Sequence, residues 1–299
     1  MTYSIVAYDG TSQQFGVGVQ THQPAVGVGV PWVKAGVGAI ATQSVTNRGF
    51  GPLGLELLAG GLSAEQTLAA LLASDPEAAL RQVAIVDREG RVAAHTGARC
   101  IPFAGHRLGD GYSVQANMML RDTVPNAMAE AFEAAQGLLM ERLLVALEAA
   151  EAEGGDIRGA QSAALLVLSS NGGPEWHNVV CDLRVDDHVT PLAELRRLVE
   201  QRLADRLSDE GEEQARRGEI EAAIATFAEA RARSHDPSEL QFWQAMVLAD
   251  ECQRFDEARA LLRDLVSREP QWRELISRLV PAQLIKPETA ERLLAEEES

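Results

Sequence analysis

Along the first two thirds of the chain, apolar and polar positions run in short stretches that switch between a period of about two and a period of about 3.6 residues. The stretches "YSIVAY", "FGVGVQTH", "VGVGV" and "GVGAIATQS" have the short, glycine-punctuated, β-branched character of strands. In "FGVGVQ", Phe15, Val17 and Val19 fall on one face, and Gly16, Gly18 and Gln20 on the other. A glycine face lets a neighbouring element approach closely. The loop "DGTSQQ" predicts a hairpin between the first two strands.

Helical periodicity follows. Pro52 suits the first turn of a helix over "LGLELLA", which Gly60–Gly61 stops. Ser63–Gln66 reads as a capping box opening "AEQTLAALLASD". Strand character returns in "RQVAIVD" and "RVAAHTG", joined through "REG", and in "GYSVQANMM". Two helices are predicted at 124–135 and 138–153, then strands in "QSAALLVLSS" and "NVVCDLRVD". Hairpins instead of strand–helix–strand alternation predict an α+β layered architecture for residues 1–190.

Beyond "DDHVTP" only helical periodicity remains: a helical linker over 191–202 and an all-α domain over 203–299. There "GEIEAAIATFAEARARSHDP" overlays "QRFDEARALLRDLVSREP" with a shift of 35 residues, aligning Ile220 with Phe255, Ala223 with Ala258 and Phe227 with Leu262. That period, with a small residue where two helices cross, resembles the tetratricopeptide repeat family. The alternative is a plain helical hairpin appendage. Stacked helices of this kind serve self-association or partner docking, so a homo-oligomer or a protein partner is expected through this region.

Charge narrows the partners. The net charge of −17 is spread over both parts: 24 acidic against 16 basic residues from Val189 onward, and 20 against 11 before it. Such a field repels phosphate backbones and anionic lipid, so neither nucleic acid nor membrane is an expected partner. Cys100, Cys181 and Cys252 are far apart and odd in number, which suggests neither a disulfide framework nor zinc, but small apolar residues in a reducing compartment. No basic-then-apolar leader and no long apolar run is present, and a soluble cytoplasmic protein is expected, with no cofactor and no metal.

The candidate chemistry starts at Thr2, a hydroxyl residue heading the first strand. A threonine hydroxyl is a weak nucleophile without an adjacent base. Removal of Met1 would supply one, because the α-amine of Thr2 has a pKa of about 8 and accepts a proton near neutrality. Methionine is normally trimmed before so small a residue.

The stretches "TYSIVAYD", "VPWVKAGVGAIATQS", "GFGPLGLELLAGGLSAEQTLAALLASDP", "VAAHTGARC" and "DLRVDDH" together resemble an uncharacterised bacterial domain family placed in the N-terminal-nucleophile (Ntn) hydrolase-like superfamily, over about residues 2–190. The resemblance implies a four-layer α-β-β-α sandwich and an attack by the N-terminal residue, here Thr2, on an amide carbonyl. It brings no known substrate. Proteasome-like members keep an acidic residue and a lysine by the nucleophile. Here the second strand ends in Gln20, Thr21 and His22, and Lys34 lies near the expected lysine position.

Other polar side chains stand at strand ends: Gln43, Ser44 and Asn47 after "GAIAT", His95 and Thr96 after "RVAA", and Gln115 and Asn117 after "YSV". An amide there can donate to an oxyanion; alternatively these groups satisfy loop backbone. His95 on an apolar strand is more often a hydrogen-bonded core residue than a catalyst. In "GGDIRGAQS", Arg158 is placed either to clamp a substrate carboxylate or to pair with Asp156, and Ser162 precedes a buried strand. Asp182, Arg184 and Asp186 share a strand face and read as an ion-pair network in preference to a metal site.

The expected function is amide (C–N) hydrolysis of a small or linear substrate. Thr2 is the nucleophile, Asn117 or Asn47 polarises the carbonyl, Lys34 stands nearby, and Gln20, His22, Gln43, His95, Gln115, Arg158 and Ser162 line the substrate. The alternative is a non-catalytic ligand-binding or scaffold protein on the same frame, with the helical repeats docking a partner.

Overall fold

The computed structural model describes residues 2–295. The chain divides into two compact units, Met1–Val199 and Glu200–Ser299. The first is a mixed α+β domain built on antiparallel sheets, and the second is helical.

Strands β1 (Thr2–Asp9) and β2 (Gln14–Thr21) form the predicted hairpin. They lie at the centre of a six-stranded sheet with β7 (Gly105–Gly109), β8 (Tyr112–Asn117), β9 (Ser162–Ser169) and β10 (Val179–Val185), in the order β10-β9-β2-β1-β8-β7. A second sheet runs β3-β4-β5-β6, from β3 (Pro31–Lys34), β4 (Gly38–Ser44), β5 (Arg81–Asp87) and β6 (Val92–Thr96). Every strand pairing is antiparallel.

The two sheets face each other. Phe15, Val17 and Val19 of β2 and Val6 of β1 pack against Ala39, Ala41, Ala84 and Val86 of the smaller sheet. The period of two then sends Gly16 and Gly18 to the opposite face, as the sequence implies. There they meet Leu143 and Leu147 of helix α4 (Leu139–Ala152): a Cβ at Gly16 would stand 2.5 Å from Leu143 Cδ1. Helix α3 (Val124–Ala134) packs beside α4 on the same sheet. Helices α1 (Phe50–Ala59) and α2 (Ala64–Ala73) cover the outer face of the smaller sheet through Phe50, Leu55, Leu58, Leu68 and Leu71 against Ile40, Val83 and Ile85. The Ser63–Gln66 capping box is formed in both directions.

Two elements differ from expectation. "VGVGV" is not a strand: Ala25 takes a left-handed φ of 56°, and Val26–Val28 close into a short 3-10 turn held by Val28 N to Ala25 O and Gly29 N to Val26 O. "GHRLG", too polar and too glycine-bound to read as a strand, pairs as β7 against β8.

Helix α5 (Pro191–Arg216) runs from the first unit into the second. The helical unit continues with α6 (Ile220–Arg233), α7 (Ser238–Asp250), α8 (Phe255–Arg268), α9 (Gln271–Leu279) and α10 (Pro287–Leu294). Its core includes five of the six residues the repeat overlay aligned, Ala223, Phe227, Phe255, Ala258 and Leu262; Ile220 is only half-buried and lies outside it. Phe227 lies against Gly211 of α5, where an added Cβ would come within 2.5 Å of the ring. No helix among the described residues is long and apolar enough to cross a membrane.

Candidate active site

Alternation in β1 turns Thr2, Ser4 and Val6 toward the space between the sheets, and Tyr3, Ile5 and Ala7 toward α4. In register, Thr2 pairs with Thr21 of β2 on one side and Asn117 of β8 on the other. At this end of the sheet pair the apolar lining gives way to polar residues. Ser4, Gln43, Gln82, Ser113, Gln115 and Asn117 are fully buried, and Thr2 and Thr21 nearly so.

Buried polar groups are tolerated when they satisfy each other, and these form one network. Thr2 Oγ1 donates to Thr21 Oγ1 at 3.2 Å. Ser4 Oγ donates to Gln43 Oε1 at 2.6 Å and accepts from Gln115 Nε2, while Ser113 Oγ donates to Gln115 Oε1. Gln43 Nε2 reaches across the sheets to Thr2 O at 3.1 Å and Gln82 Oε1 at 2.8 Å. Asn117 Nδ2 donates to Thr2 O at 3.3 Å and to the same Gln82 oxygen at 2.8 Å. Gln82 Nε2 in turn donates to Thr96 Oγ1 and to the carbonyls of Gly105 and Ala116. These side chains carry no formal charge, so the network positions groups without fixing the sign of a ligand's charge.

Both strand ends beside Thr2 turn away on left-handed non-glycine residues. Ser44, after Gln43, has φ 72°, and Met118, after Asn117, has φ 58°. Each costs about 1–2 kcal/mol against an ordinary conformation, and such strain gathers where a side chain must be held in place.

Of the residues the sequence singles out, Thr2, Gln43, Gln115 and Asn117 are brought together. Asn117 bonds within the network. Its nitrogen faces two acceptors, Thr2 O and Gln82 Oε1, so its donor is already engaged; its Oδ1 is buried without a partner.

The others lie elsewhere. Asn47 belongs to the helix side of the smaller sheet: Nδ2 donates to Asp75 Oδ2 at 3.0 Å, and Oδ1 accepts from Gly49 N. Lys34 pairs with Gly38 at the opposite end of β4 from Gln43, because the β3–β4 turn closes away from Thr2. His95 shares the helix-facing side of its strand and bonds Ala78 O through Nε2 at 2.9 Å, the core-histidine role. Gln20 is fully buried on the helix side of β2, behind the sheet from the Thr2 hydroxyl, and neither of its amide atoms has a partner. His22 follows β2 with a buried, unpartnered Nδ1. Arg158 takes the pairing role, holding both oxygens of Asp156 at 3.0 and 2.7 Å. Ser162 accepts from Val26 N and donates to Gln23 O, fastening the 23–26 turn.

Ser4, Gln82 and Ser113 carry the network without having been singled out. Their one signal was a polar residue at an inward position of an apolar strand. Asp182 and Arg184 form an ion pair at 2.8 Å. Among the described residues no group of three or more His, Cys, Asp or Glu side chains is arranged to hold a metal. Among the described residues no cysteine is in a disulfide; Cys100 and Cys181 are buried and Cys252 is partly exposed. Met1, whose removal the chemistry requires, lies outside the described residues.

Residues 2–195 match the model of a protein family described as a family of unknown function, DUF1028, and the chain belongs to that family. The chain is also similar to protein SPO2555 from Silicibacter pomeroyi, a DUF1028 protein of known crystal structure. The two are 31% identical with a TM-score of 0.61, and the match covers 67% of this chain and 85% of the other. No functionally curated protein matches the chain.

Proposed function

We propose that the first unit is an Ntn-type hydrolase acting on an amide bond of a small or linear substrate, with Thr2 as nucleophile once Met1 is removed. The observation that carries this reading is the place of Thr2. It is the first residue of a central strand, its hydroxyl faces the space between two sheets, and its neighbours there are hydroxyl and amide groups. Helices α1 and α2 on one sheet and α3 and α4 on the other accord with the α-β-β-α layering of that superfamily. Thr2 Oγ attacks the carbonyl carbon, its α-amine takes the hydroxyl proton and returns it to the leaving amine, and water then releases the acyl group. Thr21, bonded to the nucleophile, orients it. The helical unit is read as a tetratricopeptide-like docking or self-association surface. Intact-mass measurement of the purified protein tests the first requirement: the mechanism predicts a chain starting at Thr2, and retention of Met1 on all molecules refutes it.

A second reading, a non-catalytic ligand-binding or scaffold protein, is favoured by the 4% exposure of Thr2. A nucleophile must be reached by its substrate, and a purely structural threonine need not be.

A further inference from the structure

The strand end where β1 begins is crossed by a glycine-rich strap, residues 154–161. On the β8 side, Leu120 N donates to Gly155 O at 2.9 Å, Ile157 N donates to Met118 O at 3.2 Å, and Met119 bridges to Asp156. On the β2 side, Gln161 N donates to Thr21 O at 3.1 Å, and His22 N donates to Asp156 Oδ2 at 3.4 Å. Strand β1 lies between these two, with Thr2 opposite Thr21 and Asn117. The strap is therefore stitched to both neighbours of β1 just past Thr2. Gly154, Gly155 and Gly159 have φ of 116°, 55° and 97°, conformations that let it fold this tightly.

The strap carries one buried carboxylate to this place. Asp156 is 4% exposed. Neighbouring strands lie about 4.8 Å apart, so a carboxylate bonded to the residue after Thr21 stands about one strand spacing from the start of β1. We propose that Asp156 is the positioning residue for the Thr2 α-amine, accepting it as an ion-pair partner when residue 1 is removed, with Arg158 tempering its charge. This rests on the reading of Thr2 as an N-terminal nucleophile and supplies the acidic residue that the end of β2 lacks.

The bond from His22 N is the longest that Asp156 receives. Its other donors are Arg158 N at 2.9 Å, Arg158 Nε at 3.0 Å and Arg158 Nη2 at 2.7 Å. An ammonium arriving beside His22 displaces or shares that weakest bond. The titratable groups around Asp156 are Tyr3 on β1, Glu151 on α4 bonded to the Tyr3 hydroxyl, His22 after β2 and Arg158 on the strap itself; Met118 and Met119, which follow β8 and bond the strap, do not titrate. Tyr3 already registers the cluster: burial, then Glu151, then Asp156 push its hydroxyl well above the ordinary tyrosine value. Arg158 has a chemical purpose here. An unshielded carboxylate would keep the amine protonated and unable to accept the Thr2 proton, whereas a carboxylate held by a guanidinium orients the amine at less cost to its basicity.

The test uses the full chain beginning at Thr2 and follows the pH dependence of acylation of its α-amine by an amine-reactive reagent, read by mass spectrometry of the N-terminal peptide. Asp156→Asn is expected to lower the amine pKa by about one unit, Asp156→Glu to retain it, and Arg158→Gln to raise it by about one unit. The same shifts are expected in a Thr2→Ala background, which has no turnover, so the outcome is independent of whether Thr2 is a nucleophile. If Asp156→Asn does not fold, Arg158→Gln and Asp156→Glu carry the decision. An amine that titrates at the same pH in wild type and in every folded variant overturns the proposal. A chain that keeps Met1 instead overturns the reading of Thr2 on which it rests.

Discussion

Gln43 Nε2 crosses from the smaller sheet to donate to the carbonyl oxygen of Thr2 at 3.1 Å, tying the first residue of one sheet to the last inward side chain of a strand in the other. The same nitrogen donates to Gln82 Oε1, so Gln43 links the two sheets at the polar end of their shared core.

Removing that link leaves Ser4 Oγ without its acceptor and Thr2 O and Gln82 Oε1 each with one donor fewer, all in a region closed to water. Gln43→Leu is expected to lower stability by about 2–4 kcal/mol. Urea unfolding followed by circular dichroism measures it, and a midpoint equal to wild type would show that the network contributes little.

Asp75 makes an acid-dependent contribution. Hydrogen bonds from Arg81, then from Asn47 and the Glu77 backbone, hold its carboxyl well below the usual carboxylate range. A carboxylate with a depressed folded-state pKa contributes stability above its unfolded value of about 3.9 and loses it as pH falls toward the folded value. Wild type is therefore expected to melt above Asp75→Asn near neutral pH, with the gap narrowing below about pH 4. Melting curves across that range check this; a constant gap would contradict it.

In the helical unit, Ala223 and Ala258 are fully buried at equivalent points of the two overlaid segments. A larger side chain at either buried site must displace its packed neighbours. Ala258→Leu is expected to lower the stability of this unit by about 1–3 kcal/mol, and Ala223→Leu to do the same. Thermal unfolding of both variants tests the equivalence. A loss confined to one of them would break it.

Much of this was legible in the sequence because each signal was local. Alternation in "FGVGVQ" placed Gly16 and Gly18 against a helix, and helical spacing put Ala223 and Phe227 in a core. Alternating glycine and valine in "VGVGV" suit a strand as well as a turn, and only the left-handed Ala25 decides. At the site, Gln43, Gln115 and Asn117 were visible as polar groups ending apolar strands. Which face of each strand meets the other sheet is set by tertiary packing, so the sequence pattern does not separate Gln20 and His95, which face helices, from the residues around Thr2. Lys34 is near Gln43 in sequence but at the far end of β4, because a hairpin separates its two ends in space. Asp156 was visible as a partner for Arg158; its nearness to Thr2 depends on a strap joined to two strands distant in sequence.

In the proposed mechanism Thr2 reacts through its hydroxyl with its own α-amine as base. Treatment with an electrophilic β-lactone, followed by peptide mass spectrometry, tests it most directly. One stoichiometric adduct is expected on a peptide that begins at Thr2, absent in Thr2→Ala. An unmodified Thr2 in protein whose residue 1 has been removed would contradict it.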